Sequence, residues 1–156
     1  MKEANKMAYI PKDAKWYIAE IVMECKIEGE SQNVVHVNII LIRADSPDEA
    51  FEKAQEFGRE GEDSYLNPKN QQVSWCYRGL RDLNVIHDEL EDGAELMFEE
   101  KIDIPEERIQ KMIHPKHKLN VFRPIEPRDS SQPNYGCQEI IEEALKIIAD
   151  DAAENN

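Results

Sequence analysis

The chain has 156 residues, with 33 acidic side chains against 19 basic ones and a formal net charge of −14 when its four histidines are neutral. At 40% hydrophobic and 33% charged, with six Gly and eight Pro, the composition excludes a fibrous or disordered chain and suits one compact domain plus an appendage. So acidic a balance disfavours nucleic acid and anionic membrane surfaces, which both select clustered Lys and Arg.

A domain this long removes roughly two-thirds of its unfolded surface from water, so neither a disulfide nor a metal is needed to hold the fold, and no cofactor is expected. The leader, residues 1–14, is polar; Met1 to Lys6 carries an early acid and leads into no apolar stretch, which does not read as a signal peptide. The longest apolar run, Val37 to Ile42, is interrupted by Asn38 and falls far short of the roughly 20 residues that span a bilayer. Cys25, Cys76 and Cys137 are widely spaced and form no CxxC pattern, so they are expected as small buried thiols in a cytoplasmic protein.

From Lys15 to Ile27 the chain alternates, placing Tyr17, Ala19, Ile21, Met23, Cys25 and Ile27 on one face and Glu20, Glu24 and Lys26 on the other, the pattern of a half-buried strand. A turn at 28–33 leads to a second alternating run, Val34 to Ala44, with Val35, Val37, Ile39 and Leu41 expected inward and Val34, His36, Asn38, Ile40 and Ile42 outward. Because that outward set is itself half apolar, the C-terminal segment or a second subunit is expected to cover it.

Ser46-Pro47-Asp48-Glu49 combines a serine N-cap, proline in the first turn and glutamate at the third helical position, a strong helix start. Phe51 and Phe57 are expected to pack this helix on the sheet, and Gly58 or Gly61 to end it. Tyr65 to Asn70 reads as a loop, and Gln72 to Leu80 as a third strand, with a bulge or strand end at Gly79. After an ambiguous stretch, Asp92-Gly93 turns the chain into a fourth strand over Ala94 to Ile102, one face of which is acidic.

The order strand, strand, helix, strand, strand predicts an α+β domain over 15–104, a four-stranded and mainly antiparallel sheet carrying one helix. Residues 105–156 are expected as an appended arm and helix. Pro105-Glu106-Glu107 opens a short helix through Ile113, and Pro115, Pro124, Pro127 and Pro133 then interrupt regular structure. Tyr135 to Ala149, with Ile140, Ile141, Ala144, Leu145, Ile147 and Ile148, forms an amphipathic helix whose stripe needs a docking surface, followed by a frayed tail. A homodimer in which the arm and this helix pack on the partner is slightly favoured over docking in cis.

Four stretches together, Lys15-Trp16-Tyr17-Ile18-Ala19-Glu20, Ala44-Asp45-Ser46-Pro47-Asp48-Glu49-Ala50, Arg78-Gly79-Leu80-Arg81-Asp82-Leu83 and Leu90-Glu91-Asp92-Gly93-Ala94-Glu95-Leu96, resemble the uncharacterised bacterial family called domain of unknown function 4288, over about residues 15–102. The resemblance implies no reaction and no ligand. The arm from Pro105 onward departs from it.

No nucleophile elbow, P-loop, dinucleotide fingerprint or HExxH motif is present, and an enzyme is the less favoured reading. His114 and His117 are three residues apart, as zinc ligands can be, but Pro115 between them breaks the helix that would align them, so they are only a weak metal alternative. His36 and His87 are lone histidines. Residues 88–103 hold eight acids and one base, a net of −7, whereas 105–128 hold six bases and three acids, a net of +3, opposite blocks suited to pairing across a shared surface. The favoured function is therefore a small acidic interaction or binding protein, inhibitor- or immunity-like, with a basic protein as a further partner. The rival is a small enzyme or metabolite-binding domain with a pocket near the end of the third strand, built from Trp75, Arg78, Arg81, Asp82 and His87.

Overall fold

The computed structural model of the chain describes residues 9–154. The first eight residues of the expected leader, and the last two of the expected tail, lie outside the described residues. Two compact units are present: one joins the chain up to Leu96 with the segment from Pro133 onward, and the other spans Met97–Gln132.

The first unit is an α+β fold. Strand β1 (Trp16–Ile27) pairs antiparallel with β2 (Val34–Arg43) on one side and β4 (Gln72–Val85) on the other, and β3 (Asp63–Leu66) pairs antiparallel with β4, giving the order β2-β1-β4-β3. Helix α1 (Pro47–Glu60) follows β2. Its serine cap forms as the sequence predicts, while Glu49 reaches one residue further back than a capping box. The Ser46 hydroxyl accepts the Glu49 backbone N–H at 3.1 Å, and the Glu49 carboxylate reaches back to the Asp45 N–H at 2.8 Å. At the other end the Gly61 N–H returns to the carbonyls of Phe57 and Gly58.

The predicted inward face of β1 is the core face: Tyr17, Ala19, Ile21, Met23, Cys25 and Ile27 are all buried. The expectation for β2 is reversed. Its partners across the ladder are Tyr17↔Ile42, Ala19↔Ile40, Met23↔His36 and Cys25↔Val34, so the even-numbered residues share the core face and Val35, Ile39 and Leu41 are exposed on the opposite one. Directly opposed residues of an antiparallel pair point the same way, so register with β1, not the count of apolar residues, assigned the faces.

Helix α1 lies on the core face, but its phenylalanines do not seat it. Phe51 is 44% and Phe57 48% exposed, and the buried residues are Ala50, Ala54 and Gly58. Small residues bring the helix backbone close to the sheet, and Tyr77, Leu80, Leu83 and Val85 of β4 fill the space around them. A second cluster, Cys25, Ile27 and Val73, is completed by Val34, Tyr65, Trp75 and Tyr135. Tyr135 comes from the C-terminal segment, which crosses this end of the core face and is fastened there. The buried Asn67 side chain donates to the Asn134 carbonyl at 2.9 Å, and the Tyr65 hydroxyl donates to the Tyr135 carbonyl.

Two further strand boundaries differ from expectation. Asp63–Leu66 is a strand, where Tyr65 and Leu66 read as loop, and β4 runs on past Leu80 to Val85. The stretch Ala94 to Ile102 is not a strand. β4 already occupies one edge of β1 from Ile27 to Tyr17, and β3 takes the other edge of β4 from Gln72 to Trp75. The edge of β4 beyond Trp75 and the outer edge of β2 stay unpaired by this stretch, although the Gly93 turn itself forms with φ 84°. Cys25 is buried as expected, but Cys76 is exposed because it falls on the sheet's other face.

Helix α3 (Gln138–Glu154) continues through residues expected to fray, and it buries no residue. In the second unit, helix α2 (Glu106–Met112) is followed by two single turns, Lys116–Lys118 and Asn120–Phe122, and no residue is buried. This unit contains most of the expected Pro-interrupted arm.

Candidate interaction surface

With α1 and the Tyr135 segment both on the core face, the sheet's opposite face carries the charged candidates. Two β-bulges put them there. The β1–β4 register passes from Glu20↔Asp82 to Ile21↔Leu80, leaving Arg81 as the extra residue, and from Val22↔Gly79 to Met23↔Tyr77, leaving Arg78. Gly79 between them sits at φ 142°, backbone that a side chain rarely tolerates. Bulges re-aim side chains, and both of these turn an arginine toward a glutamate of β1.

Arg81 grips Glu20 by both carboxylate oxygens, Nη2 to Oε1 at 2.9 Å and Nε to Oε2 at 3.2 Å. This forked geometry is the strong form of the pair, and the glutamate hydrogen bond holds the guanidinium above its usual pKa. The Glu20 side chain is only 8% exposed while Arg81 is 55% exposed, so the ion pair shows its cationic half to solvent. One turn of pleat along, Arg78 Nη1 lies 3.4 Å from Glu24 Oε1, and Glu24 Oε2 accepts from Asn33 Nδ2 at 2.6 Å. That amide pulls the Glu24 carboxyl below its ordinary range; burial opposes it, and the charges of Lys26 and Arg78 add smaller downward effects. Asp82 is occupied locally, accepting from the Leu83 N–H at 2.9 Å and the Asn84 amide at 3.0 Å.

Beside these pairs runs the exposed stripe of β2, Val35, Ile39 and Leu41, with Ile39 at 59%. The result is a face with an exposed apolar lane along β2, a buried centre at Ile18 and Glu20 of β1, and two glutamate–arginine pairs along the other side. At its β1–β2 turn end lies an open polar cleft of 910 Å³, bordered by Glu24, Lys26, Glu28, Ser31, Asn33 and Ser74.

The other sequence candidates lie elsewhere. Trp75 is on the core face, donating from Nε1 to the Tyr65 hydroxyl at 2.9 Å, with the His36 ring at 4.8 Å and the Tyr135 ring at 5.6 Å. His87 lies beyond the end of β4 and is exposed, bordering a 350 Å³ cleft with Lys15, Arg43 and Asp88. Strand alternation and the bulges therefore split the expected pocket: Arg78, Arg81 and Asp82 share a face, Trp75 is behind it and His87 is past its end. His114 and His117 are in the second unit, and among the described residues no group of three or more His, Cys, Asp or Glu is placed to hold a metal ion. The sequence marks Glu20 and Glu24 only as outward residues of β1 and predicts Val35, Ile39 and Leu41 inside. Its usable signal was that β2 is apolar on both faces.

These features define a small α+β domain whose antiparallel sheet carries α1 on one face, while on the other Ile18 and Glu20 of the central strand are buried and the β2 lane is exposed. The family model described as domain of unknown function (DUF4288) matches residues 16–98, more than half of the chain, and the chain belongs to that family. No curated protein and no solved structure matches it. Among the described residues no helix is long and apolar enough to cross a membrane.

Proposed function

We propose that this protein is an interaction module that binds another polypeptide through the open face of its sheet. The observation that carries the reading is the lane Val35, Ile39 and Leu41, exposed beside the Glu20–Arg81 and Glu24–Arg78 pairs. A contiguous apolar lane rimmed by polar groups is the ordinary composition of a docking surface, and arginine is enriched at such sites. The arginines are half solvent-facing and their charge is balanced, which suits complementarity to a protein rather than capture of a small anion. Catalysis is the weaker reading, because the arginines, Trp75 and His87 converge on no common cavity.

A photo-cross-linking residue at position 39 of the full chain, with a control at position 69 in the β3–β4 turn, tests this in the producing cell. Protein adducts from position 39 and none from position 69 are expected. Equal yields from both, or none from position 39, would overturn the proposal.

A further inference from the structure

Among the exposed apolar groups of the first unit are the β2 lane and the stripe of α3, where Ile140, Leu145, Ile147 and Ile148 are each more than 60% exposed. Resting on the docking reading above, we propose that the occupant of the open sheet face is α3 of a second copy of this chain, each copy lending its helix to the other.

Three features select this occupant. The first is the shape of the stripe. At about 100° per residue, Ile140, Ile141, Ala144, Leu145, Ile147 and Ile148 cover an arc of about 160°, wider than the narrow seam by which two helices pair and suited to a flat surface. The second is length. From Ile140 to Ile148 the ridge runs about 12 Å along the helix, and the lane from Val35 to Leu41 runs about 20 Å along the strand, so the ridge fits within it.

The third is charge. α3 carries six acids (Glu139, Glu142, Glu143, Asp150, Asp151, Glu154) against Lys146, a net of −5, so pairing two such helices sets like charge against like. The open face is balanced. Its Arg78 and Arg81 are 58% and 55% exposed, and the fork on Glu20 uses two of the five N–H donors of Arg81. The remaining donors can meet the carboxylates flanking the helix stripe. The Tyr135 segment is fastened on the core face of its own sheet, with only Gly136 and Cys137 between it and α3, about 10 Å of chain. That short tether opposes folding the helix back around its own sheet edge and leaves it available to a second copy.

The full-length protein, Ile39→Asp and Leu145→Glu are compared by light scattering, with circular dichroism confirming that each variant is folded. Both substitutions are at exposed positions. The parent should be a dimer, and each variant alone should dissociate, with its dimer constant weakened at least tenfold. An equimolar mixture of the two variants should recover a heterodimer, since the intact helix of Ile39→Asp can dock on the intact face of Leu145→Glu. A monomeric parent overturns the inference. So does dissociation by Leu145→Glu alone, which means helix pairs with helix, by Ile39→Asp alone, which means face pairs with face, or by both without recovery on mixing.

Should Ile39→Asp fail to fold, isotopically mixed copies bearing the cross-linker at position 39 replace it. Adducts between light and heavy chains that map to residues 140–148 sustain the inference, and adducts within one chain overturn it. Adducts from position 39 to a different protein overturn it too, yet leave the docking reading standing.

Discussion

A Cβ added to Gly58 would lie 2.5 Å from Cε2 and 2.8 Å from Cγ of the Tyr77 ring, so α1 and β4 meet where no side chain fits. The ring is held at its far end by the Tyr77 hydroxyl donating to Gln55 of the same helix. Helix propensity alone would make Gly58→Ala stabilising by about 1 kcal/mol. Overpacking acts against it at about 1 to 3 kcal/mol, and the steric effect should win because the ring cannot swing away without losing its hydroxyl contact. A thermal melt should place Gly58→Ala below the parent. Gly61→Ala is the control, since its nearest neighbours are 3.3 Å or more away; a variant at 58 as stable as the one at 61 would contradict the close approach.

The same contact explains why the helix's large residues are not its anchors. A buried phenylalanine cut to alanine costs about 3 to 5 kcal/mol, but Phe51 is 44% exposed, so Phe51→Ala should cost about 1 kcal/mol or less. Ala54→Leu, at a fully buried position, should cost more. Chemical denaturation of the two variants decides the order, and a larger loss at Phe51 would mean that the helix is rotated from the orientation described here.

What the sequence disclosed follows from how local each signal is. The alternation of β1, the serine cap of α1 and the Asp92-Gly93 turn depend on neighbouring residues, and all three are found where the pattern puts them. The faces of β2 depend on pairing with β1, and its more apolar set, Val35, Val37, Ile39 and Leu41, is the set turned away from the core. A rule that sends the more apolar face inward fails there because the register with β1, which no local pattern in β2 encodes, assigns the faces. Ala94 to Ile102 carries a strand pattern yet pairs with none of the sheet's edges, so alternation alone does not make a strand. The bulges at Arg78 and Arg81 are legible only in the ladder; Gly79 marks their position, but nothing local says that an arginine on each side of it turns toward a glutamate.

Asn67 is, with Tyr65, a fastening point of the C-terminal segment. Fully buried, it accepts from the backbone N–H groups of Lys69 at 3.0 Å and Gln71 at 2.9 Å, and it donates to Gln71 Oε1 and the Asn134 carbonyl. Each buried partner left unsatisfied costs about 1 to 3 kcal/mol, so Asn67→Ala should lower stability by about 2 to 4 kcal/mol. It should also loosen Tyr135 from Trp75 and His36. Limited proteolysis near residue 134 is expected to speed up well below the melting temperature. If cleavage there stays at the parent's rate until global unfolding, the segment is held by something other than Asn67.

Glu24 gives the open face a pH dependence with a definite sign. Its folded-state pKa lies below the ordinary 4.5, so the stability it contributes is complete above that value and is lost as pH falls through the folded pKa. The first cause is the Asn33 amide, ahead of Lys26 and Arg78, and the distances agree: 2.6 Å to Asn33 against 3.4 Å to Arg78. Asn33→Ala should therefore raise the Glu24 pKa, followed by carboxyl-carbon NMR, by more than Arg78→Ala does. Both shifts should be upward, and the acid limb of the stability profile should move to higher pH with them. A larger response to Arg78→Ala would make the ion pair the main cause, and an unchanged pKa in both variants would mean that neither contact holds the carboxylate in solution.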